Sequence, residues 1–338
     1  MKRIFILILF CMGINAYPES AGPDVSVSII YIIHGDGNYV YHDTSGNPHS
    51  SDEEILAQAF YVGEHIKNGE VFIFHQKKAS KFLFFQKDDA DFYYFRNGER
   101  MREDTYRRDN SDLDFREELK LYKESGDKKL INPVKILLYY GHEIPFPGRE
   151  VNTYNNTHPD ISFNDTLFTT IVKNFAAGKK FDLVVVSTCN NGTPEMVFLL
   201  SPYSKFIIAS PGDLHLSQIN SSYLENLNMA DYMPFTFAKN FAGYAFNQLK
   251  KNTLTEITIS LYDTEKTKPY VTDLLNNENY KMNVGLDIPG NCDCSSISTF
   301  KAKNIAEGVT VFYNPPAFGK NKNAKAHSGW GCKTVSIF

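Results

Sequence analysis

Two residues of this 338-residue chain, Cys189 and His142, have the types and positions that nucleophilic catalysis needs. Cys189 follows the apolar run 181–186, and His142 follows the apolar run 134–140. A cysteine attacks a carbonyl carbon as its thiolate, so it needs a nearby base, which histidine can supply. The carboxyl ends of neighbouring parallel strands meet at one edge of a sheet, where ligands bind in open α/β folds. The sequence therefore predicts that the two side chains meet at that edge.

Each of the two residues also has a simpler interpretation. A lone cysteine after a valine-rich strand is usually a small buried side chain, and a lone histidine at a strand end is usually a hydrogen-bonding loop residue. The combination favours catalysis, because Gly-His ends one strand and Thr-Cys-Asn-Asn-Gly ends the next. Gly192 lets the chain turn sharply, and Thr193-Pro194 is typical of a helix start, whose dipole favours a thiolate and a developing oxyanion.

The elements that would carry these residues alternate between strands and helices. Apolar, β-branched runs predict strands at residues 25–33, 70–75, 134–140, 181–186, 205–209 and 256–261. Amphipathic spacing and start signals predict helices near residues 50–66, 113–125, 162–177, 193–200 and 229–250. The alternation predicts an α/β fold with a mostly parallel sheet flanked by helices.

The segment between the second and third predicted strands departs from that alternation. Aromatic runs at residues 81–85 and 91–95 flank a polar stretch and predict a hairpin. Charged residues dominate 97–110, which predicts an exposed loop.

The N-terminus has the pattern of a secretory signal peptide. A basic Met-Lys-Arg start, an apolar stretch at 4–13 and the small residue Ala16 fit that pattern. The apolar stretch is short for a bilayer, and an uncleaved anchor is the alternative. Cys11 could carry a lipid, although the bulky Phe10 fits that poorly. We therefore expect a secreted, periplasmic or cell-surface protein with no membrane contact after cleavage.

Composition agrees with a folded domain that does not bind nucleic acid. Hydrophobic residues make up 42% of the chain and charged residues 22%, with a formal net charge of −4 and no long Lys/Arg run. Residues after about 275 are richer in Asn, Gly and Ser. We expect a signal peptide at 1–16, an α/β domain at 17–275 and a less regular C-terminal extension at 276–338; the oligomeric state stays open.

Four cysteines follow the leader: Cys189, Cys292, Cys294 and Cys332. In an exported protein Cys332 could pair with Cys292 or Cys294. Without paired C-x-x-C spacing the four cysteines argue against a structural zinc site. The isolated Cys189 needs a separate explanation.

Residues 134–215 resemble clostripain-like cysteine peptidases of the caspase clan. Tyr140-Gly141-His142 looks like the Y-x-G-H-G or H-G element of separases, gingipains and caspases. The stretch 182–195, Asp-Leu-Val-Val-Val-Ser-Thr-Cys-Asn-Asn-Gly-Thr-Pro-Glu, is similar to the clostripain pattern D-x-x-x-x-x-A-C-x-x-G/A-x-x-E. Phe-Ile-Ile-Ala-Ser-Pro-Gly-Asp at 206–213 is similar to the next strand and its Pro-Gly loop.

The resemblance implies a caspase-hemoglobinase-like fold of three layers, αβα, and hydrolysis of a peptide or protein substrate by a Cys/His dyad. His142 would be the general base and acid, and Cys189 would form the acyl-enzyme. The oxyanion hole would be the backbone N–H groups of Cys189 and Glu143, and one such donor is worth about 3–4 kcal/mol. No metal or cofactor is implied for the chemistry, and calcium has no support in the sequence.

The chain departs from the family pattern at two positions. Glu143 replaces a glycine, so a carboxylate lies beside a developing anion. Ser187 replaces an acidic residue that helps select Lys or Arg substrates. Asp213 remains a candidate for a pocket for a basic side chain, and His215 could line that pocket. A preference for a basic residue is therefore one expectation, and a catalytically inactive caspase-like surface or binding protein is the alternative function.

Two further features could serve such a site. Arg149 is a candidate processing site, because family members are often activated by cleavage in loops; an exposed basic loop residue is the simpler interpretation. His34, Asp36, His42 and Asp43 follow the first strand. They could bind a metal, but we expect a shaped loop near the pocket, in which Asp36 or His34 contacts substrate or supports the catalytic histidine. An unrelated α/β-hydrolase-like protein lacks support, because no G-x-S-x-G elbow is present.

Overall fold

The computed structural model describes residues 26–35, 40–77, 80–82, 85–87, 89–107, 115–146, 164–228, 232–276, 307–314 and 316–317. The strands within these ranges are β1 (Val27–Gly35), β2 (Val40–His42), β3 (Pro48–Ser50), β4 (Gly69–Lys77), β5 (Ser80–Phe82), β6 (Phe85–Lys87), β7 (Asp89–Arg96), β8 (Glu99–Arg107), β9 (Val134–Tyr140), β10 (Phe181–Ser187), β11 (Ser204–Ala209), β12 (Ile257–Asp263) and β13 (Val309–Asn314). The helices are α1 (Ser51–His65), α2 (Arg116–Ser125), α3 (Asp165–Ala176), α4 (Pro194–Leu200), α5 (Pro234–Asn252) and α6 (Thr264–Leu275), with a 3-10 helix at Ser222–Asn228.

Nine strands form one sheet in the order β13-β12-β11-β10-β9-β1-β4-β7-β8. The five central strands, from β11 to β4, are parallel, and the strands at both edges are antiparallel. Every residue of β1, β9 and β10 is buried. Such continuous apolar strands are typical of a parallel sheet that is covered on both faces. The predicted α/β fold class is confirmed.

Helices cover both faces of the sheet and complete two separate cores. Because successive strand residues point to opposite faces, Ile29 and Tyr31 contribute to one core and Ile30 and Ile32 to the other. Helices α1 and α5 and the 3-10 helix cover the first face. Helices α2, α3, α4 and α6 cover the second. The predicted three-layer αβα arrangement therefore holds.

The segment after β4 folds differently from the sequence prediction. Residues 97–110, expected to be an exposed loop, contain β8, which pairs with β7 at the edge of the sheet. The run 91–95 lies in β7 and pairs with β4 and β8, while β5 pairs with β6, so the hairpin between 81–85 and 91–95 is wrong. Strand β8 is mostly exposed and rich in charge, as protected edge strands often are, and it lacks the apolar alternation that reveals a strand.

The C-terminal part of the chain contributes to the same sheet. Strand β13 lies within the segment predicted to be a less regular extension, and it pairs antiparallel with β12. The predictions for the signal peptide at 1–16, for Asp36, for Arg149 and for the paired C-terminal cysteines fall outside the described residues. Among the helices that are described, none is both long and apolar enough to cross a membrane.

A pair of phenylalanines on the helices of the second face tests this packing. Replacing the fully buried Phe168 by alanine should lower the free energy of unfolding by about 3–5 kcal/mol, because its ring packs against Tyr139 with centroids 5.0 Å apart. Phe198 on α4 is 42% exposed, and its replacement should change that free energy by about 0.5 kcal/mol or less. Urea unfolding followed by circular dichroism measures both; equal losses would contradict the assignment of Phe168 to the core.

Candidate active site

Strands β9 and β10 bring the loops that carry His142 and Cys189 to the same edge of the sheet. The two strands are parallel neighbours, and Tyr140 is paired with Ser187 at their carboxyl ends. The N–H of Gly141 donates to the carbonyl of Ser187 at 3.3 Å. His142 and Cys189 each lie two residues beyond that final pair. The prediction that they follow neighbouring parallel strands is confirmed.

The thiol of Cys189 is held by the backbone of Leu214, in the loop after β11. The N–H of Leu214 donates to Sγ at 3.2 Å, and Sγ donates to the Leu214 carbonyl at 3.5 Å. The cysteine is free, and its side chain is half-buried against the first core. A single residue thus satisfies both the donor and the acceptor capacity of the thiol.

Burial and nearby carboxylates keep this thiol protonated. Burial is the largest cause that raises the pKa of Cys189, and the charges of Asp213 and Glu143 raise it further. The hydrogen bond from the Leu214 N–H lowers the pKa but does not reverse the shift. In the described arrangement the Cys189 thiol is therefore neutral, and it must lose its proton to a base before it can attack.

The carboxylate of Glu143, which the sequence places beside the developing anion, is bound by Asn190. The amide Nδ2 of Asn190 donates to Glu143 at 2.8 Å and to Asp213 at 3.3 Å. Asn190 has a φ of +54°, a left-handed conformation that asparagine tolerates better than most residues. Its N–H donates to the Gly212 carbonyl at 3.0 Å. The loop after Cys189 thus ties together the two carboxylates nearest the thiol.

The backbone N–H groups of Glu143 and Cys189 are the predicted oxyanion donors. Their neighbours are engaged within the chain: the Gly141 N–H donates to the Ser187 carbonyl, and the Asn190 N–H donates to the Gly212 carbonyl. An oxyanion hole requires N–H donors that are left for the substrate oxygen. Their role stays a prediction.

Gly192 is required by close packing rather than by a special backbone conformation. A Cβ at this position would lie 2.7 Å from the backbone nitrogen of Pro211 and 2.8 Å from the hydroxyl of Tyr262. The Tyr262 hydroxyl donates to the Gly192 carbonyl at 2.8 Å. Helix α4 then begins as predicted, with the Thr193 side chain accepting from the Met196 N–H.

Ser187 is fully buried and its hydroxyl is already used within the chain. It donates to Oε1 of Gln218 at 2.8 Å and accepts from the Ile219 N–H at 2.9 Å. Gln218 itself has a φ of +60°, which is strained for a residue other than glycine. Ser187 therefore offers no exposed surface in this arrangement, and a contact with substrate would require Gln218 to move aside.

A cavity of about 370 Å³ lies on the other side of Gln218. The β2–β3 hairpin, α1, residues 217–220 and the end of α5 form its walls, and its described lining contains no Lys or Arg. Asp43 and Glu54 supply two carboxylates, and His49 lies between them, 3.2 Å and 2.5 Å away. The hydrogen bond with Asp43, followed by that with Glu54, raises the pKa of His49. Of these three side chains, the sequence pattern had indicated only Asp43, as part of the polar cluster after the first strand.

Asp213 and His215 lie on either side of the residue that holds the thiol. Asp213 is exposed at the rim, consistent in position with a pocket residue. His215 bonds through Nδ1 to the Ser217 hydroxyl at 2.9 Å and packs edge-on against Tyr41, with centroids 5.1 Å apart. Burial lowers the pKa of His215. It supports the loop that carries Leu214.

The polar residues after β1 are separated rather than gathered. His34 is buried, with Nδ1 2.8 Å from Oε1 of Gln76, and its Cβ would lie 3.3 Å from a Cβ at Gly141. His34 therefore packs beside the residue that precedes His142. Asp43 instead bonds to Asn47 and His49. In the described ranges no group of three or more His, Cys, Asp or Glu side chains has an arrangement that could hold a metal ion.

Residues that sequence reasoning missed include Asn190, Asn191, Leu214 and Gln218. Only the two asparagines had a local signal, because Asn-Asn-Gly is a turn-forming sequence. The backbone groups of Leu214 bind the thiol whatever its side chain, so no residue type could have revealed it.

Alkylation of Cys189 tests the electrostatics around the thiol. Asp213→Asn and Glu143→Gln should each speed its reaction with iodoacetamide at pH 7 about threefold, because the loss of either negative charge lowers the pKa of the Cys189 thiol and raises the thiolate fraction. The alkylation rate is measured by stopping the reaction at successive times and determining the mass of the intact protein. Glu64→Gln, an exposed change on α1, should leave the rate unchanged, and 1 M salt should shrink the two effects. Unaltered rates in both variants would contradict the stated cause.

Comparison with solved structures shows which known proteins have a similar fold. No family model matches the sequence, and no curated protein matches it. A solved secreted C11 cysteine protease from Bacteroides thetaiotaomicron aligns over 75% of this chain and 69% of its own, with a TM-score of 0.50 and 13% identity. A secreted C11 cysteine protease from the same organism, in complex with an irreversible peptide inhibitor, aligns over 75% and 71%, with a TM-score of 0.51 and 13% identity. The chain therefore has the clostripain-like fold of the caspase clan.

Proposed function

We propose that the chain is a secreted cysteine endopeptidase in which Cys189 is the nucleophile and His142 its base. The observation that carries the proposal is the equivalent placement of the two residues, each two positions beyond the paired strand ends Tyr140 and Ser187. The fold adds support, because a protein of the same fold is a C11 protease that binds a peptide inhibitor. Export rests on the leader-like residues 1–16.

The proposed reaction has two halves. His142 takes the Sγ proton, and the thiolate of Cys189 attacks the scissile carbonyl carbon, whose oxygen becomes an anion bound by the N–H groups of Glu143 and Cys189. The intermediate collapses, the C–N bond breaks, and His142 returns the proton to the leaving amine. In the second half His142 deprotonates a water that attacks the thioester, which releases the carboxylic acid and restores the thiol.

Substrate must first release the thiol from Leu214. The raised pKa of Cys189 favours the neutral thiol, and the Leu214 carbonyl accepts its proton. Attack therefore needs proton transfer to His142 and a small displacement of the loop that carries Leu214. The Asn190 amide, by binding the Glu143 carboxylate, reduces its repulsion of the developing oxyanion.

A preference for a basic residue at the cleaved bond is the finer part of the proposal. Asp213 supports it, since its carboxylate lies at the rim next to the residue that holds the thiol. The cavity behind Gln218 also supports it, because Asp43 and Glu54 line it. Processing after Arg149 stays a prediction.

An inactive, caspase-like binding protein is the second candidate function. The observation that favours it is the environment of the thiol, where burial and the charges of Asp213 and Glu143 all raise its pKa. A binding protein would keep the scaffold and show no turnover.

Substitution of the dyad tests the first proposal. Cys189→Ala and His142→Ala should each lower kcat/KM for a fluorogenic peptide at least about 10³-fold, because the members of a nucleophile–base pair act as a unit. An electrophilic peptide ketone should label wild-type protein at Cys189 only. His65→Ala, at the end of α1, should keep wild-type activity. Thermal unfolding checks that every variant is folded.

The binding-protein alternative makes the opposite prediction. Folded wild-type protein would then resist the peptide ketone at every pH from about 5 to 9, with reductant and with or without calcium. That result would end the peptidase proposal, since a thiol poised by a base must react within this range.

Replacement of Asp213, the exposed carboxylate next to Leu214, tests the proposed preference for a basic residue. Peptides cleaved after Lys or Arg should be better substrates than those with Leu or Glu, and Asp213→Asn should raise KM for a Lys peptide about fivefold, as expected for an exposed ion pair. KM for a Leu peptide should not change. Asp104→Asn on the edge strand β8 is the matched control. Equal KM values for Asp213→Asn and wild type would refute a role for this carboxylate.

A further inference from the structure

Asn191 pairs with the main chain of the opposite loop as a neighbouring strand would. Its side chain is fully buried. Oδ1 accepts from the N–H of Ile144 at 2.8 Å, and Nδ2 donates to the carbonyl of the same residue at 2.9 Å. Both main-chain groups of Ile144 are thus satisfied by one carboxamide.

The contacts of Asn191 continue the register of β9 and β10 past the ends of both strands. Tyr140 pairs with Ser187, Glu143 with Asn190, and Ile144 with Asn191, always with the same separation along the chain. His142 and Cys189 have that same separation, and along the chain they lie between the last backbone pair and the two asparagine contacts. The dyad is bracketed on both sides.

Thr188 fixes the orientation of this carboxamide. Its hydroxyl donates to Oδ1 of Asn191 at 2.5 Å, so the oxygen accepts from two donors while the nitrogen faces a carbonyl. Thr188 precedes Cys189 directly, and Ile144 lies two residues after His142. One buried side chain therefore joins residues that lie within two positions of each candidate catalytic residue.

We propose that Asn191 is the positioning residue that sets the distance between the His142 loop and the Cys189 loop, and with it the position of the Glu143 N–H. The inference rests on the proposed function, since it assigns a task within that mechanism. Asn191 contacts neither thiol nor substrate; it acts through Ile144 and Thr188. A displacement of about 1 Å at a reacting group costs on the order of 10²-fold in rate.

Three variants test the inference on full-length protein. Asn191→Ala should lower kcat about 10- to 100-fold while KM stays within about threefold, because positioning is lost and substrate binding is kept. Asn164→Ala is the matched control, since Asn164 also spends its side-chain oxygen on a backbone N–H, that of Leu167, but at the start of α3. It should cost stability and leave kcat of the folded protein unchanged.

Asn191→Asp adds a readout that a merely structural role would not produce. An ionised carboxylate cannot donate to the Ile144 carbonyl, whereas a protonated one restores the donor and acceptor pattern of the amide. Burial raises the pKa of a carboxyl. The kcat of Asn191→Asp relative to wild type should therefore rise as the pH falls from about 8 to 5.

The pH profile of Cys189 alkylation separates failure of this inference from failure of the peptidase proposal. The alkylation rate of wild-type protein, plotted against pH, should include a rise that depends on His142 and that His142→Ala therefore abolishes. Asn191→Ala should abolish the same rise. If wild type has no turnover, the peptidase proposal fails and this profile still decides the role of Asn191. A wild-type profile equal to that of His142→Ala overturns the inference. So does an Asn191→Ala variant that keeps wild-type kcat or an unchanged alkylation profile.

Discussion

The parallel pairing of β9 with β10 is the constraint on which the candidate site depends. It fixes Tyr140 against Ser187. His142 and Cys189 each follow that pair by two residues, at the same edge of the sheet. Both strands are buried on both faces, so a change of register by one residue would turn every side chain to the wrong core. The two hydrophobic cores thereby hold the register that the chemistry needs.

The environment of the thiol is set by groups that lie beyond the strands. Leu214 binds Sγ through its backbone, while Asp213 and Glu143 place negative charge nearby and are themselves tied together by Asn190. A buried neutral thiol is stable and unreactive, which suits a nucleophile that should attack only when substrate is bound. The same arrangement would suit a protein that has lost catalysis, so reactivity rather than geometry distinguishes the two functions.

The likeness to C11 proteases extends to the fold, and the fold does not by itself carry the activity. What this chain shares with them is the overall fold over about 75% of its length. Its own features are Glu143 after the histidine, Ser187 covered by Gln218, and two asparagines after the cysteine. Whether the scaffold hydrolyses peptides depends on how these side chains act together.

The central sheet could be predicted from the sequence, because continuous apolar runs must be buried on both faces and their order implies parallel pairing. The sequence also placed Cys189 and His142 at adjacent strand ends. It could not show β8, whose charged and mostly exposed residues form a strand by pairing with β7. Strand β13 does carry a β-branched and aromatic run, Val-Thr-Val-Phe-Tyr, but the Asn-, Gly- and Ser-rich composition around it had favoured an irregular extension. The contacts of the thiol and of the asparagines could not be predicted from the sequence, because they use backbone atoms and loops that meet only after folding.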